Sequence, residues 1–375
     1  MSAVLSPAPL PRGERVIVAL SGGVDSAVAA LLLREAGCEV EGLFMSNWDD
    51  EDVYCTQAQD FQDARAVAQE LGIVLHRVSF ADEYRERVFR HFLDSYRAGR
   101  TPNPDVLCNR EIKFGLCLRY AQRLGAAWLA TGHYARRLDA ADGPALYQAR
   151  DESKDQSYFL HAIERTCLPR VLFPLGELRK AQVRERARRA GLAVHDKADS
   201  SGICFIGERP FSEFLARYLD ASPGPIESLD GQRLGAHRGL PFFTLGQRAG
   251  LAIGGARGRS AEPWYVAAKD AERNTLIVAQ RHEQQCLEAS ALGTGAVNWL
   301  CAPRLEPFPA LVRVRHRQPP QAAHVRPQAD GSLWIEFEQP QRAATPGQYA
   351  ALYAHERCLG GAVIETVRQR GLAPL

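Results

Sequence analysis

Ser21-Gly22-Gly23-Val24-Asp25-Ser26 stands between the apolar run Val16-Ile17-Val18-Ala19-Leu20 and the apolar stretch that begins at Ala27. That order reads as a buried strand, a glycine turn and a helix start. At such a junction glycine lets the backbone approach an anion closely, while free amides at the positive end of the helix dipole attract phosphate. Ser21 and Ser26 add hydroxyl donors, and Asp25 is placed to hold a magnesium ion against the phosphates. No Lys-Ser/Thr pair closes the loop as in a Walker motif, and no Gly-x-Gly-x-x-Gly is present. The stretch reads as a phosphate cradle that lacks a Walker lysine.

Two thiols have settings that differ from a packed core. Cys108 closes the segment Thr101-Pro102-Asn103-Pro104-Asp105-Val106-Leu107-Cys108-Asn109, which reads as a loop whose two prolines restrict the backbone and present a thiol rigidly. Cys204 lies in Ser200-Ser201-Gly202-Ile203-Cys204, beyond a basic helical stretch. The other seven cysteines read as small buried hydrophobes. Nine cysteines in all, an odd number with no C-x-x-C spacing, exclude a disulfide scaffold and a zinc ribbon.

The elements that position these groups alternate at first. Strands at Val16 to Leu20, Val40 to Met45 and Ile73 to Val78 are separated by helices after Asp25 and across Ala58 to Leu71, the pattern of a parallel sheet covered on both faces. Helices are expected at Glu83 to Ala98 and Arg110 to Leu124, and a further strand at Trp128 to Thr131 leads into Gly132-His133-Tyr134. Ligands of such sheets sit beyond the carboxyl ends of the strands, where both the Ser21 loop and Gly132-His133 fall. A basic helix is expected from Lys180 to Ala190. After about Arg209 short alternating runs replace helices. Trp264 to Lys269 and Thr275 to Ala279 read as a hairpin, and Leu311 to Val314, Ser332 to Glu338, Tyr349 to Tyr353 and Cys358 to Thr366 as strands of a small antiparallel barrel.

The chain has 375 residues, more than one core sustains, so two or three domains are expected. Its apolar runs are too short to span a bilayer, and the first 13 residues have no signal-peptide core, so a cytoplasmic location with no membrane partner is expected. A net charge of +2 does not announce a nucleic-acid binder, so any such role rests on local patches. Arg313, Arg315 and Arg317 alternate with Val312, Val314 and His316, which would line three guanidinium groups along one strand face toward a phosphate backbone. The helix with Arg179, Lys180, Arg184, Arg186, Arg188 and Arg189 offers a second patch, and binding through either would weaken steeply with salt. Basic side chains are very unevenly divided, with five lysines and 41 arginines.

Seven motifs occur in order along nearly the whole chain: Ser21 to Ser26, Asn103 to Asn109, Gly132-His133-Tyr134, Lys154-Asp155-Gln156-Ser157-Tyr158-Phe159, Ser200 to Arg209, Leu245-Gly246-Gln247-Arg248 and Pro346-Gly347-Gln348. In these the chain closely resembles the bacterial tRNA-specific 2-thiouridylases of the N-type ATP pyrophosphatase group. The resemblance implies a Rossmann-like, adenine nucleotide alpha hydrolase-like catalytic domain over residues 1–208. A small central domain with β-hairpins over 209–286 and a tRNA-binding β-barrel over 287–375 would follow. It implies ATP and Mg2+, with no tightly bound metal or organic cofactor, and tRNA for Lys, Glu and Gln as substrates. The C2 oxygen of the wobble uridine attacks the α-phosphate of ATP, and sulfur then displaces AMP.

Roles follow from the same resemblance. Ala19, Leu20, Ser21, Gly22, Gly23, Val24, Asp25, Ser26, Met45 and Gly132 match ATP contacts. Asn103, Pro104 and Asp105 match the segment that touches the target base, and His133, Lys154, Asp155, Gln156, Arg315, His316 and Gln348 match positions facing tRNA. Cys204 receives a persulfide from a sulfur-relay protein or cysteine desulfurase, and Cys108 is the second catalytic thiol. Attack of Cys108 on the Cys204 persulfide would release hydrosulfide and leave a disulfide; direct attack by the persulfide is the other route. Ala19-Leu20 stands where the family has Gly-Met, and Ala249 and Ala252 replace its lysine and glycine. Nitrogen-transferring relatives of the loop, such as amidotransferase synthetases, have no need of the two thiols, and iron-sulfur thiolases need C-x-x-C pairs. A nucleotide-sensing protein without turnover is the reading outside enzymes, and tRNA-dependent pyrophosphate release separates it.

Overall fold

The computed structural model describes residues 10–48, 57–199, 211–219, 222–253 and 262–369. The first half runs β1 (Arg15–Ala19), α1 (Val24–Glu35), β2 (Glu39–Ser46), α2 (Gln57–Leu71), β3 (Leu75–Ser79), β4 (Trp128–Ala130), β5 (Arg136–Ala140), β6 (Gly143–Tyr147) and β7 (Val171–Leu172). Strands β1 to β4 and β7 form a parallel sheet in the order β3-β2-β1-β4-β7. Val16, Ile17 and Val18 are fully buried because β1 is central and covered on both faces. One apolar cluster holds Val16, Val18, α1 and α2 residues, and another holds Ile17, Leu43 and Leu129 with the helical segment between β3 and β4.

The segment Thr101 to Asn109 corrects the loop expectation. Helix starts at Pro104, runs to Leu107 and continues as a π-helical stretch from Cys108 to Cys117. Proline at the first helical position explains this, since its fixed φ suits a helix and its missing N–H is not needed there.

In the second half, β8 (Gly224–Ser228), β9 (Arg233–His237), β10 (Trp264–Asp270) and β11 (Thr275–Gln280) form a four-stranded sheet that contains the expected β10–β11 hairpin. The rest comprises β12 (Glu288–Thr294), β13 (Asn298–Trp299), β14 (Phe308–Arg313), β15 (Gln321–Pro327), β16 (Leu333–Arg342), β17 (Tyr349–Ala354) and β18 (Arg357–Gln369). Strands β12, β16, β15, β14, β17 and β18 close into an antiparallel barrel when β18 pairs back with β12. The sheet does not stop there. Arg357 of β18 pairs with Tyr147 of β6, so the β5–β6 hairpin of the first half extends the barrel's sheet. Tyr349, Ala351, Tyr353 and Cys358 of the barrel share an apolar cluster with Tyr158 and Phe114 of the first half. No helix among the described residues is long and apolar enough to cross a membrane.

Candidate functional site

β1 ends at Ala19, and the chain turns through Ser21-Gly22-Gly23 into α1. Leu20 still donates its amide to Leu43 O at 3.0 Å, so the turn is held at the carboxyl edge of the sheet. Gly22 has φ +76, and a Cβ there would lie 2.2 Å from the carbonyl oxygen of Asp60, which leaves glycine as the residue that fits. Gly23 caps α1 without a side-chain hydrogen bond, so the first-turn amides of Val24 and Asp25 are left for a ligand. Ser26, expected to face the phosphates, is turned inward instead. Its hydroxyl donates to Gly23 O at 3.0 Å and accepts from Ser21 N at 3.2 Å, which folds the loop on itself. Gly132, just past β4, packs on the Asp25–Ser26 backbone. Met45, in β2 beside β1, is half-buried at the same edge.

Asp25 does not stand alone. Tyr134 donates its hydroxyl to Asp25 Oδ1 at 2.8 Å, and Lys180 Nζ lies 2.7 and 2.8 Å from the two carboxylate oxygens. Lys180 also reaches Asp199 at 2.7 Å, as do Lys154 at 2.7 Å and Arg184 at 2.8 Å. Burial would raise the Asp199 carboxyl, but the hydrogen bonds from Lys154 and Lys180 hold it down at about 2. Behind the loop, Lys197 donates to Gly22 O at 3.0 Å and to Asp60 at 2.7 Å, and also pairs with Asp63. Burial alone would lower the Lys197 ammonium; its two carboxylate partners raise it above the usual lysine range. Of the basic helix, Lys180 and Arg184 are engaged at Asp199, whereas Arg186, 3.8 Å from Glu35, and Arg188, 2.6 Å from Glu185, stay exposed in surface pairs.

Cys108 is 1% exposed within the apolar cluster below the sheet edge, and not on an open loop as its prolines suggested. The four-residue helix Pro104–Leu107 precedes it, and Asn109 donates to Phe159 O at 3.2 Å to fix the next position. Burial pushes the Asp105 carboxyl above the usual aspartate range, against the pull of Lys113 and His316. Lys113, one turn beyond Cys108, also bears on His133, whose imidazole burial holds neutral, well below the usual range. His133 Nδ1 lies 2.8 Å from Thr131 Oγ1. The thiol-bearing helix meets the Gly132-His133 edge, on which the phosphate loop rests, through Phe114, whose ring lies 5.7 Å from that of His133. Cys204 and the Ser200 to Arg209 motif lie outside the described residues, as does Cys55. Cys38, Cys117, Cys167, Cys286, Cys301 and Cys358 are all buried.

Residues expected to face tRNA are largely committed inside the molecule. Asp155 is 2% exposed and accepts from Ala149 N, Ser157 N, Ser157 Oγ and Arg313 Nη1. His316 Nε2 donates to Asp155 O at 2.9 Å, and Arg315 donates to Leu245 O at 2.9 Å and Thr345 Oγ1 at 3.0 Å. Gln156 accepts from Tyr134 N at 2.9 Å, and Gln348 donates to Thr101 O and Pro102 O. The row of arginines on one strand face does not form, because β14 ends at Arg313 and the chain then turns through Arg315 to Gln318. Of the three, Arg317 is exposed. Lys113, Tyr134, Lys180 and Lys197 are site residues whose roles sequence reasoning did not assign. Four of the five lysines surround this site, a signal already present in the lysine-poor composition.

Family models match three consecutive stretches. They are a tRNA methyl transferase HUP domain over residues 14–208, a tRNA methyl transferase PRC-barrel domain over 212–280, and an aminomethyltransferase beta-barrel domain over 289–364. The tRNA-specific 2-thiouridylase MnmA of Sodalis glossinidius is 54% identical over 356 residues, covering 94% of this chain and 96% of that protein. The same enzyme of Pseudomonas paraeruginosa is 52% identical over 362 residues, with 96% of each covered. Among solved structures, a 4-thiouridine synthetase in complex with RNA and bound ATP is similar at a TM-score of 0.37 and 20% identity, over 55% of this chain and 50% of that one.

Proposed function

The chain belongs to the tRNA-specific 2-thiouridylase family, and from that membership we propose a division of labour among its residues in ATP-dependent thiolation of a wobble uridine in tRNA. The observation that carries the reading is that the Gly132-His133 turn touches both parts: Gly132 packs on the Asp25–Ser26 backbone of the uncapped helix N-terminus, and the His133 ring lies 5.7 Å from that of Phe114, on the helix that continues from Asp105 and Cys108. The Ser21 to Ser26 loop, with Ala19, Leu20, Met45 and Gly132 around it, holds ATP by its amides. Lys180 supplies the ammonium that a Walker motif would carry in its own loop. A magnesium ion fits a site with one loop carboxylate, Asp25, since this ion takes most of its other ligands from phosphates and water. It would neutralise charge on the leaving pyrophosphate.

Asn103, Pro104 and Asp105 orient the uracil ring. A carboxyl held above its usual range, as burial holds Asp105, is suited to exchange a proton with the ring. Adenylation turns the C2 oxygen, a poor leaving group, into AMP. Cys204 carries the donated sulfur as a persulfide, supplied by a relay protein or cysteine desulfurase. The Cys108 thiolate attacks the inner sulfur of that persulfide, a disulfide forms, and hydrosulfide leaves to displace AMP; an external reductant restores both thiols.

The test is incubation with ATP, magnesium, a cysteine desulfurase with cysteine as persulfide donor and unmodified tRNA, read as a sulfur-for-oxygen mass shift at the wobble uridine. The wild type gives the shift, and Cys108→Ser abolishes it while ATP still binds. Wild-type thiolation in Cys108→Ser would remove that thiol from the mechanism.

A further inference from the structure

Two of the sequence motifs, Leu245-Gly246-Gln247-Arg248 and Pro346-Gly347-Gln348, have no part in the reaction described above. Both lead to the same place, Thr101, at the foot of the segment that carries Asp105 and Cys108. Gln348 Nε2 donates to Thr101 O at 2.9 Å and Pro102 O at 3.2 Å, and Thr101 N donates to Pro346 O at 3.0 Å. Both hydrogens of the Gln348 amide nitrogen are committed by these bonds. Gly347 has φ +92, and a Cβ on it would lie 2.9 Å from Arg100 Cβ and from Thr101 N, so glycine alone lets the turn come this close. The turn is itself fastened to β18, through Gly347 N to Ile364 O at 2.9 Å and Ile364 N to Gln348 O at 2.7 Å.

The central domain closes the third side. Thr244 Oγ1 is 3.5 Å from Thr101 Oγ1, and the carbonyl of the next residue, Leu245, is held by Arg315, which also grips Thr345 beside the turn. Three domains therefore converge on a single buried threonine. Beyond it the chain has little freedom. Pro102 and Pro104 fix their own φ, each restricts the residue before it, and Pro104 opens the helix. A displacement at Thr101 is thus carried to Asp105 and Cys108 and not absorbed on the way.

We propose that the Pro346–Gln348 turn of the barrel is a positioning device for the catalytic segment, and that Gln348 is its positioning residue. The proposal rests on the thiolation reading. It assigns the Gln348 amide to the carbonyls of Thr101 and Pro102 and not to RNA. Misplacement of about 1 Å at a reacting group costs on the order of a hundredfold in rate, so with a loosened foot sulfur arrives late, water displaces AMP from the adenylated base and restores uridine, and ATP use is uncoupled from sulfur insertion.

Gln348→Met keeps the length of the side chain and removes both bonds. Gln348→Glu, which presents acceptors where donors are needed, gives an independent variant should the first not fold. The full chain without tRNA is examined by hydrogen exchange over 101–108, and with tRNA by the ratio of AMP to thiouridine formed. Exchange about tenfold faster in the variants, with AMP in about threefold excess over thiouridine and tRNA affinity within about twofold of wild type, is the expected result. A general loss of stability would lower both products together and leave their ratio unchanged. Unchanged exchange with an unchanged ratio overturns the proposal, and so does lost tRNA affinity with unchanged exchange, since Gln348 would then grip RNA. A wild type that forms no thiouridine fails the functional reading itself, whatever the variants do.

Discussion

Lys180 sits between two carboxylates, Asp25 of the phosphate loop and Asp199, and is itself only 13% exposed in its side chain. A compact ammonium can bridge two such groups where a planar guanidinium cannot reproduce the geometry. Lys180→Met removes the only cation bonded to Asp25 among the described residues, so tRNA-dependent pyrophosphate release should fall about a hundredfold. Lys180→Arg should recover little of it. Release measured at saturating ATP checks both, and an unaltered rate would make Lys180 a cross-link between elements and nothing more. The strand-turn-helix form of this loop is legible in six consecutive residues, but Lys180 is not, because it arrives from 155 positions away. In sequence it is one member of a basic helix whose arginines pair with Glu35, Glu185 and Asp199. The scarcity of lysine was the available signal. In a chain that otherwise uses arginine, Lys180 and Lys197 bond to the loop, Lys154 shares Asp199 with Lys180, and Lys113 lies on the thiol helix.

At the scale of elements, the short helix Ser157–Leu160 ends on His161, which lies fully buried between Tyr158 and Tyr349. Its Nδ1 donates to Tyr158 O, and Nε2 has no partner among the described residues. Burial, opposed by that one hydrogen bond, lowers its pKa to about 4. An unfolded chain takes up this proton near pH 6.5, whereas the folded chain resists until about 4. The unfolded state therefore binds more protons in that window, and stability present above 6.5 is lost as pH falls through it, by up to about 3 kcal/mol. His161→Phe cannot be protonated. Its urea midpoint should be lower than wild type at pH 7.5 and change less between pH 7 and 5, a difference that isolates this residue from other buried histidines. Of the elements, parallel strands and barrel strands were visible as apolar runs, whereas the onset of helix at Pro104 was hidden. Two prolines in three residues suggest a loop, yet the second occupies the one helical position that favours proline.

The whole molecule is joined by a buried seam, and this determines how its basic residues are used. The β5–β6 hairpin adds to the barrel sheet, Arg136 of β5 pairs with Glu356 at 2.8 Å, and Asp142 at the hairpin tip pairs with Arg357 at 2.7 Å. None of this has a local signature, since the partners are more than 200 residues apart and periodicity reports only the face of a strand, not what covers it. At the centre of the seam, Arg313 Nη1 meets Asp155 Oδ2 at 2.9 Å, with side-chain exposures of 9% and 1%. Alternation along 312–317 suggested a row of phosphate contacts, but a guanidinium at this depth serves the fold. Truncating one partner of a buried pair leaves the other charge uncompensated, at a cost of about 3–5 kcal/mol. Asp155 keeps three other donors from Ala149 and Ser157, so Arg313→Met should destabilise by about 3 kcal/mol, the lower end of that range. Its binding to tRNA should weaken with salt along the same slope as wild type. A lost phosphate contact would instead reduce the slope of log K against log salt by roughly 0.7 to 0.9. Denaturation and salt titration of the same variant separate the two outcomes, and a shallower slope with wild-type stability would return Arg313 to the RNA surface.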